Sequence, residues 1–98
     1  MNSYYVYILK CSDDSYYTGV TNDLKRRIEE HQSGKYDGYT LDKRPVTLVF
    51  SQEYGDINEA IKSEKQIKGW SRKKKEALIN NDYNLLVKLS NHNKPENQ

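Results

Sequence analysis

The stretch from Tyr4 to Cys11, YYVYILKC, constrains the fold more than any other part of the chain. It is dense in Tyr, Val and Ile and holds neither Gly nor Pro, which is the composition of a β-strand. Its apolar residues fall on both faces of the pleat rather than on one. Such a strand is central in its sheet or covered on both sides. Ser12-Asp13-Asp14-Ser15 is a turn signal. Ser15 to Gly19, SYYTG, then reads as a short second strand, so the chain opens on a hairpin crowded with tyrosines.

Helix signals follow. Thr21-Asn22-Asp23 offers N-cap residues before LKRRIEEHQSG, and Gly34 suits a left-handed C-cap. Lys35 to Arg44 is a polar loop, and Pro45 to Gln52 reads as the third strand. Asp56 caps a second helix that Gly69 ends. Ser71 caps a third, RKKKEALINN, and Asp82 a fourth, YNLLVKLS. The order is ββα-β-ααα. It predicts an α+β domain in which a small three-stranded sheet, antiparallel or mixed, is covered by helices. Residues 1–90 read as a single domain and 91–98 as a polar C-terminal tail.

Composition narrows the class. At 35 % hydrophobic residues the core of this 98-residue chain has to be compact. Lys plus Arg is 16 against 14 for Asp plus Glu, so the net charge is only +2 and the chain is no polycation. One cysteine, Cys11, excludes an internal disulfide. With only His31 and His92 beside it, the usual structural zinc patterns are excluded too. No apolar run approaches the ~18–20 residues of a membrane span, and no basic leader precedes the first apolar run. A single-domain cytoplasmic protein is expected.

Helical phase locates the unusual side chains. With Leu24 at zero and roughly 100° per residue, Ile28 lies near 40°, His31 near 340° and Arg27 near 300°. Arg27 and His31 therefore share the inward arc and stack one above the other. A snorkelling boundary arginine and a satisfied half-buried histidine would look the same. In the second helix, with Ile57 at zero, Ala60 lies near roughly 300°, Ile61 near 40° and Ile67 near 280°. Glu64 falls at roughly 340°, in the middle of that apolar arc. A buried carboxylate has to be paired, protonated or bound to a cation. A bridge to a basic residue such as Arg27 would serve, and so would a metal.

These residues together resemble the GIY-YIG nuclease superfamily. Its first motif stands here as Tyr5-Val6-Tyr7 and its second as Tyr17-Thr18-Gly19. Arg27 and His31 follow in order, and EAIKSEKQIKGWSRKKKEALI resembles the second half of the small stand-alone bacterial members. The likeness spans residues 4 to 90. Tyr5 replaces the opening Gly and Thr18 the Ile, neither of them a catalytic side chain in the family pattern. The resemblance implies hydrolysis of nucleic-acid phosphodiesters, in DNA repair or recombination, with one Mg²⁺ or Mn²⁺ ion. It implies Tyr7, or in an alternative account Tyr17, as the base that takes the water's proton. It implies Arg27 on the phosphate, His31 relaying or positioning the proton, and Glu64 as metal ligand. Family nucleases join this module to a targeting domain, and 98 residues leave no room for one. A protein partner that supplies targeting is therefore expected.

A shared site needs Tyr7 and Tyr17 on one sheet face, which is a matter of register parity. A two-residue turn at Asp13-Asp14 would separate them. A three-residue loop, Ser12 to Asp14, pairs Cys11 with Ser15 and unites them, so that loop or a bulge is expected. Lys62, Lys65 and Lys68 on the second helix, with Arg72, Lys73, Lys74 and Lys75 opening the third, are candidate nucleic-acid contacts, though a solvated surface would read alike. Four cations at a helix N-terminus oppose the dipole, which favours a phosphate-binding role. Trp70 reads as a core anchor rather than a base-stacking platform. Two other functions fit the same sequence: a nucleic-acid-binding module with weak or vestigial activity, and a protein-interaction subunit.

Overall fold

The computed structural model describes residues 2–35 and 38–92. The expected tail falls mostly at 93–98, outside the described residues. The elements are β1 (Tyr4–Lys10), β2 (Tyr16–Thr21), α1 (Leu24–Ser33), β3 (Thr47–Tyr54), α2 (Ile57–Lys68), α3 (Arg72–Ile79) and α4 (Tyr83–His92). The chain divides into two compact units, 1–68 and 69–98.

The first unit is built on the sheet β2-β1-β3, antiparallel throughout. β1 is the central strand, as its two apolar faces require, and Val6, Tyr7, Ile8 and Leu9 are all fully buried. Tyr7 pairs with Gly19 and Leu9 with Tyr17. Cys11 N–H donates to the Ser15 carbonyl at 2.8 Å, which closes the three-residue loop, with Asp14 in the left-handed region (φ 68). Tyr7 and Tyr17 therefore stand on one face. That face is closed by α1: Leu24 and Ile28 pack with Tyr17 against the cluster of Tyr7, Leu9, Cys11 and Val46. Val6 and Ile8 point to the opposite face. α2 packs against all three strands and buries Ala60, Glu64 and Ile67.

β3 begins two residues later than expected and ends two later. Its polar end, Gln52-Glu53-Tyr54, pairs with Val6-Tyr5-Tyr4, so the free edge of β1 decides the boundary rather than local composition. The caps fall where expected. The Asp23 carboxylate accepts from Arg26 N–H at 3.1 Å, and Gly34 closes α1 in the left-handed conformation (φ 80). The Asp56 carboxylate accepts from Asn58 N–H at 3.1 Å.

The second unit is a helix pair, α3 against α4. Ser71 caps α3 through Lys74 N–H at 3.2 Å, and Asp82 caps α4 through Leu85 N–H at 3.1 Å. α4 runs to His92, two residues past the expected end of the domain. Among the described residues no helix is long and apolar enough to cross a membrane.

Candidate active site

β1, β2 and α1 bring three of the sequence-predicted residues into direct contact. The rings of Tyr7 and Tyr17 lie 6.2 Å apart between centroids, Tyr7 and His31 5.9 Å, and Tyr17 and His31 5.1 Å. The Tyr7 hydroxyl is hydrogen-bonded to His31 Nε2 at 3.0 Å. Tyr7 and His31 are both fully buried, whereas Tyr17 is partly exposed. Gly19, opposite Tyr7, makes this possible. A β-carbon there would sit 2.5 Å from the Tyr7 hydroxyl oxygen, so the ring needs a bare backbone position to lie across β2.

Arg27 and His31 share the inner face of α1, as their phase requires. The Arg27 guanidinium is ion-paired to Glu30, Nε to Oε1 at 3.3 Å, and its side chain is 25 % exposed. Burial, and then the charge of Arg27, hold the His31 imidazole below its ordinary titration range, with Glu30 pulling weakly the other way. His31 is therefore a neutral ring at pH 7.

Glu64 is buried at 9 % exposure, as its place on the wheel predicts, and its carboxylate pairs with Lys68 Nζ at 3.2 Å. The counter-charge comes from one turn along α2. Among the described residues no three of His, Cys, Asp or Glu gather into a metal-holding group.

Two further residues belong to the cluster, and nothing in the sequence marked them. The fully buried Thr40 hydroxyl lies 2.6 Å from His31 Nδ1. Tyr39 stacks on Tyr17 at 6.0 Å and 24°, and Lys43 Nζ sits 4.7 Å from its ring centre. The loop that carries them has no apolar period to read. Its turns are Leu41 N–H to Gly38 C=O at 3.1 Å and Lys43 N–H to Thr40 C=O at 3.0 Å. It is pinned at its exit by the Gln32 side chain, which brackets both backbone groups of Val46.

The candidate nucleic-acid contacts lie in both units. On α2, Lys62 and Lys65 are exposed, while Lys68 is held by Glu64. On α3, Arg72 pairs with Glu76 at 3.1 Å, Lys74 Nζ lies 4.4 Å over the Trp70 ring, and Lys73 is exposed. The first turn of α3 holds no acidic residue, so the Arg72–Glu76 pair only partly relieves the unfavourable charge there. Trp70 is half-buried beneath Lys74.

Comparison with known proteins gives a consistent result. A family model described as the GIY-YIG catalytic domain matches residues 3–77. A UPF0213 protein of Staphylococcus aureus is 47 % identical over 79 residues, covering 81 % of this chain and 96 % of that protein. The solution NMR structure of the UPF0213 protein of Bacillus halodurans is 45 % identical, with a TM-score of 0.54. It covers 80 % of this chain and 83 % of that one. A solution NMR structure of an Enterococcus faecalis protein is 38 % identical, with a TM-score of 0.59. It covers 85 % of this chain and 88 % of that one.

Proposed function

The chain belongs to the GIY-YIG family, and from that premise we propose that it is a metal-dependent endonuclease hydrolysing nucleic-acid phosphodiesters, DNA in the first place, in repair or recombination. The observation that carries this reading is the buried Tyr7–His31 hydrogen bond with the Tyr17 ring against both partners. Two phenols against a neutral imidazole set a candidate base beside a hydrogen-bond partner that can stabilise it. That is what activation of a water requires.

The roles follow from chemistry and position. An attacking water gives its proton to Tyr7 or Tyr17 only once that phenol is in its phenolate form, which a nearby cation favours. Tyr7 holds its oxygen against His31, and Tyr17 is the ring that solvent already reaches. The Arg27 guanidinium, its Nε on Glu30, has further N–H donors with which to neutralise charge developing on the phosphate. Glu64 would hold the cation. A single buried carboxylate suits Mg²⁺ or Mn²⁺, which bind proteins through one or two carboxylates and keep water and phosphate oxygens as other ligands. Such an ion supplies Lewis-acid polarisation and lowers the pKa of bound water. Lys68 Nζ pairs with the same carboxylate at 3.2 Å. Exposed Lys62, Lys65 and Lys73 contact the backbone of the substrate, and a protein partner supplies targeting.

The test is incubation with branched, nicked and linear DNA in the presence of Mn²⁺, comparing wild type with Glu64→Ala and Tyr7→Phe. Cleavage by wild type that both variants lose by at least ~100-fold supports the reading. Salt-sensitive binding without cleavage makes the chain a binding module. Neither cleavage nor binding makes it a protein-interaction subunit.

A further inference from the structure

The rings of the site form a row that runs from the interior to solvent. His31 and Tyr7 are fully buried, Tyr17 beside them is partly exposed, and Tyr39, stacked on Tyr17 at 6.0 Å and 24°, is 48 % exposed. The backbone that carries Tyr39 is anchored. Thr40, next to it, is fully buried with its hydroxyl 2.6 Å from His31 Nδ1. Leu41 N–H donates to Gly38 C=O at 3.1 Å, Lys43 N–H to Thr40 C=O at 3.0 Å, and Ser12 N–H of the hairpin loop to Lys43 C=O at 2.9 Å. Arg44 Nε donates to Leu41 C=O at 3.0 Å. The Tyr39 ring is therefore presented to solvent on a held loop, and a flat group can stack on it without first ordering the chain.

A cation accompanies this ring. Lys43 Nζ stands 4.7 Å from its centre and 3.8 Å from Asp13 Oδ2. The second distance is too long for a hydrogen bond. Asp13 is also served by others: the Ser15 hydroxyl and N–H both donate to its Oδ1, and they, more than Lys43, hold its carboxyl below the ordinary range. Lys43 is thus a loosely held ammonium on a flexible stem. A group that matches ring and ammonium together has a flat π face with a negative charge beside it. A nucleotide is such a group, since every base has a face to stack and its phosphate supplies the charge. An aromatic side chain of a protein partner would cover the ring and leave the ammonium unmatched. A base within a duplex already has a neighbour stacked on each face, so the base that lies on Tyr39 has to be unpaired.

We propose that Tyr39 is a stacking platform for an unpaired base of the nucleic-acid strand, and that Lys43 leaves the ring to bind the phosphate of that nucleotide. The row then runs His31, Tyr17, Tyr39, base, and the bound nucleotide stands one ring away from Tyr17. Stacking fixes where the strand lies along the site without reading its sequence, because all bases offer a π face. Selection falls instead on the form of the nucleic acid: a strand with a base free to leave its stack is held, and a fully paired one is not. That the nucleotide flanks a bond to be hydrolysed rests on the nuclease reading, but the platform does not.

Binding is measured with divalent metal chelated, so that no cleavage intervenes, on single-stranded oligothymidylate and on a fully paired duplex. Tyr39→Leu should weaken binding of the single strand about ten-fold and of the duplex by less than about two-fold. Tyr39→Phe keeps the ring and should stay within about two-fold of wild type on both. Equal losses on the two DNA forms, or no loss on the single strand, overturn the proposal. Lys43→Ala should flatten the log–log salt slope on the single strand by up to about 0.7, and an unchanged slope overturns the phosphate contact. If Tyr39→Leu does not fold, the wild type decides. Oligothymidylate carrying 5-iododeoxyuridine is irradiated in the complex and the crosslink is mapped by mass spectrometry. Attachment at Tyr39 is expected, and attachment only elsewhere overturns the proposal. Cleavage is read separately with Mn²⁺. A crosslink at Tyr39 with selective loss in Tyr39→Leu, but no cleavage of any DNA, supports the platform and sinks the nuclease reading alone. Cleavage of a strand with unpaired bases that Tyr39→Leu performs with unchanged kcat and KM sinks the platform alone.

Discussion

Gly19→Ala tests how the fold makes the site, because one methyl is placed where the Tyr7 ring already lies. The new β-carbon would meet the Tyr7 hydroxyl oxygen at 2.5 Å, Cζ at 2.6 Å and Cε1 at 3.0 Å. Comfortable separations are about 3.5–4.0 Å, so the ring tip has to retreat by about 1 Å. Tyr7 has no exposure and hence no free volume to retreat into. Its bond to His31, now 3.0 Å, would be pushed towards or past the limit of a hydrogen bond at roughly 3.5 Å. Overpacking costs about 1–3 kcal/mol and the lost bond about 1 kcal/mol. Against this, alanine restricts the unfolded chain and returns about 0.4–1 kcal/mol. The net is a loss of about 2 kcal/mol, or a fall in Tm of about 8–16 °C for a domain of this size. Circular dichroism during heating measures it, and a urea midpoint with unchanged slope confirms that stability alone has changed. A Tm within about 2 °C of wild type refutes the reasoning. Tyr7→Leu supplies the control. It removes the ring tip, so adding Gly19→Ala should then cost about 1–2 kcal/mol less than it does alone, and strict additivity would show that the methyl does not meet this ring.

Thr18→Val should stabilise the protein by about 1 kcal/mol, read as a higher urea midpoint, because the Thr18 hydroxyl is buried without a partner among the described residues and valine keeps the shape. A lower midpoint would mean that the hydroxyl is satisfied after all. His31 makes stability depend on pH. Its folded pKa lies below the ordinary value of about 6.5, so as pH falls past that value the unfolded chain takes up the proton first. Stability should decline from there down to the folded midpoint and level off beneath it, and an NMR titration of His31 centred at or above about 6.5 contradicts this. DNA affinity should fall steeply with salt, with a log–log slope near −3 to −4 for about four phosphates neutralised. Lys62→Ala with Lys65→Ala should flatten the slope by up to about 2 on duplex DNA, uniformly across sequences. Arg72→Ala should change it by well under the roughly 0.9 that one free contact contributes, since Glu76 already holds that guanidinium, and a full change of about 0.9 would refute the ranking.

The parts of this site that were legible in the sequence are the ones governed by a period. β1 was legible because both its faces are apolar, and the hairpin loop because parity leaves few ways to unite Tyr7 with Tyr17. Glu64 was legible as a buried carboxylate because Ala60 and Ile67 flank it on the apolar arc and are buried with it, even though Ile57 of the same arc is exposed. Glu30 lies at roughly 240° on the wheel of α1 with Leu24 at zero, off its apolar arc. It is half-buried, because Arg27 draws it inward through an ion pair that no hydrophobic wheel contains. Thr40 was invisible for a different reason. Its role is set by a partner nine residues back and by anchors at Gln32 and Ser12, and a turn-rich loop carries no pattern that encodes such distances. The alternation of the pleat explains which motif letters carry chemistry. Tyr7, Tyr17 and Gly19 share one face, with the histidine and the ring stack, while Val6 and Thr18 point the other way. The Thr in place of Ile at position 18 therefore alters packing and leaves the reacting face untouched. Its effect should appear in stability and not in turnover, which is why Thr18→Val and Gly19→Ala, on adjacent residues of one strand, should move the protein in opposite directions.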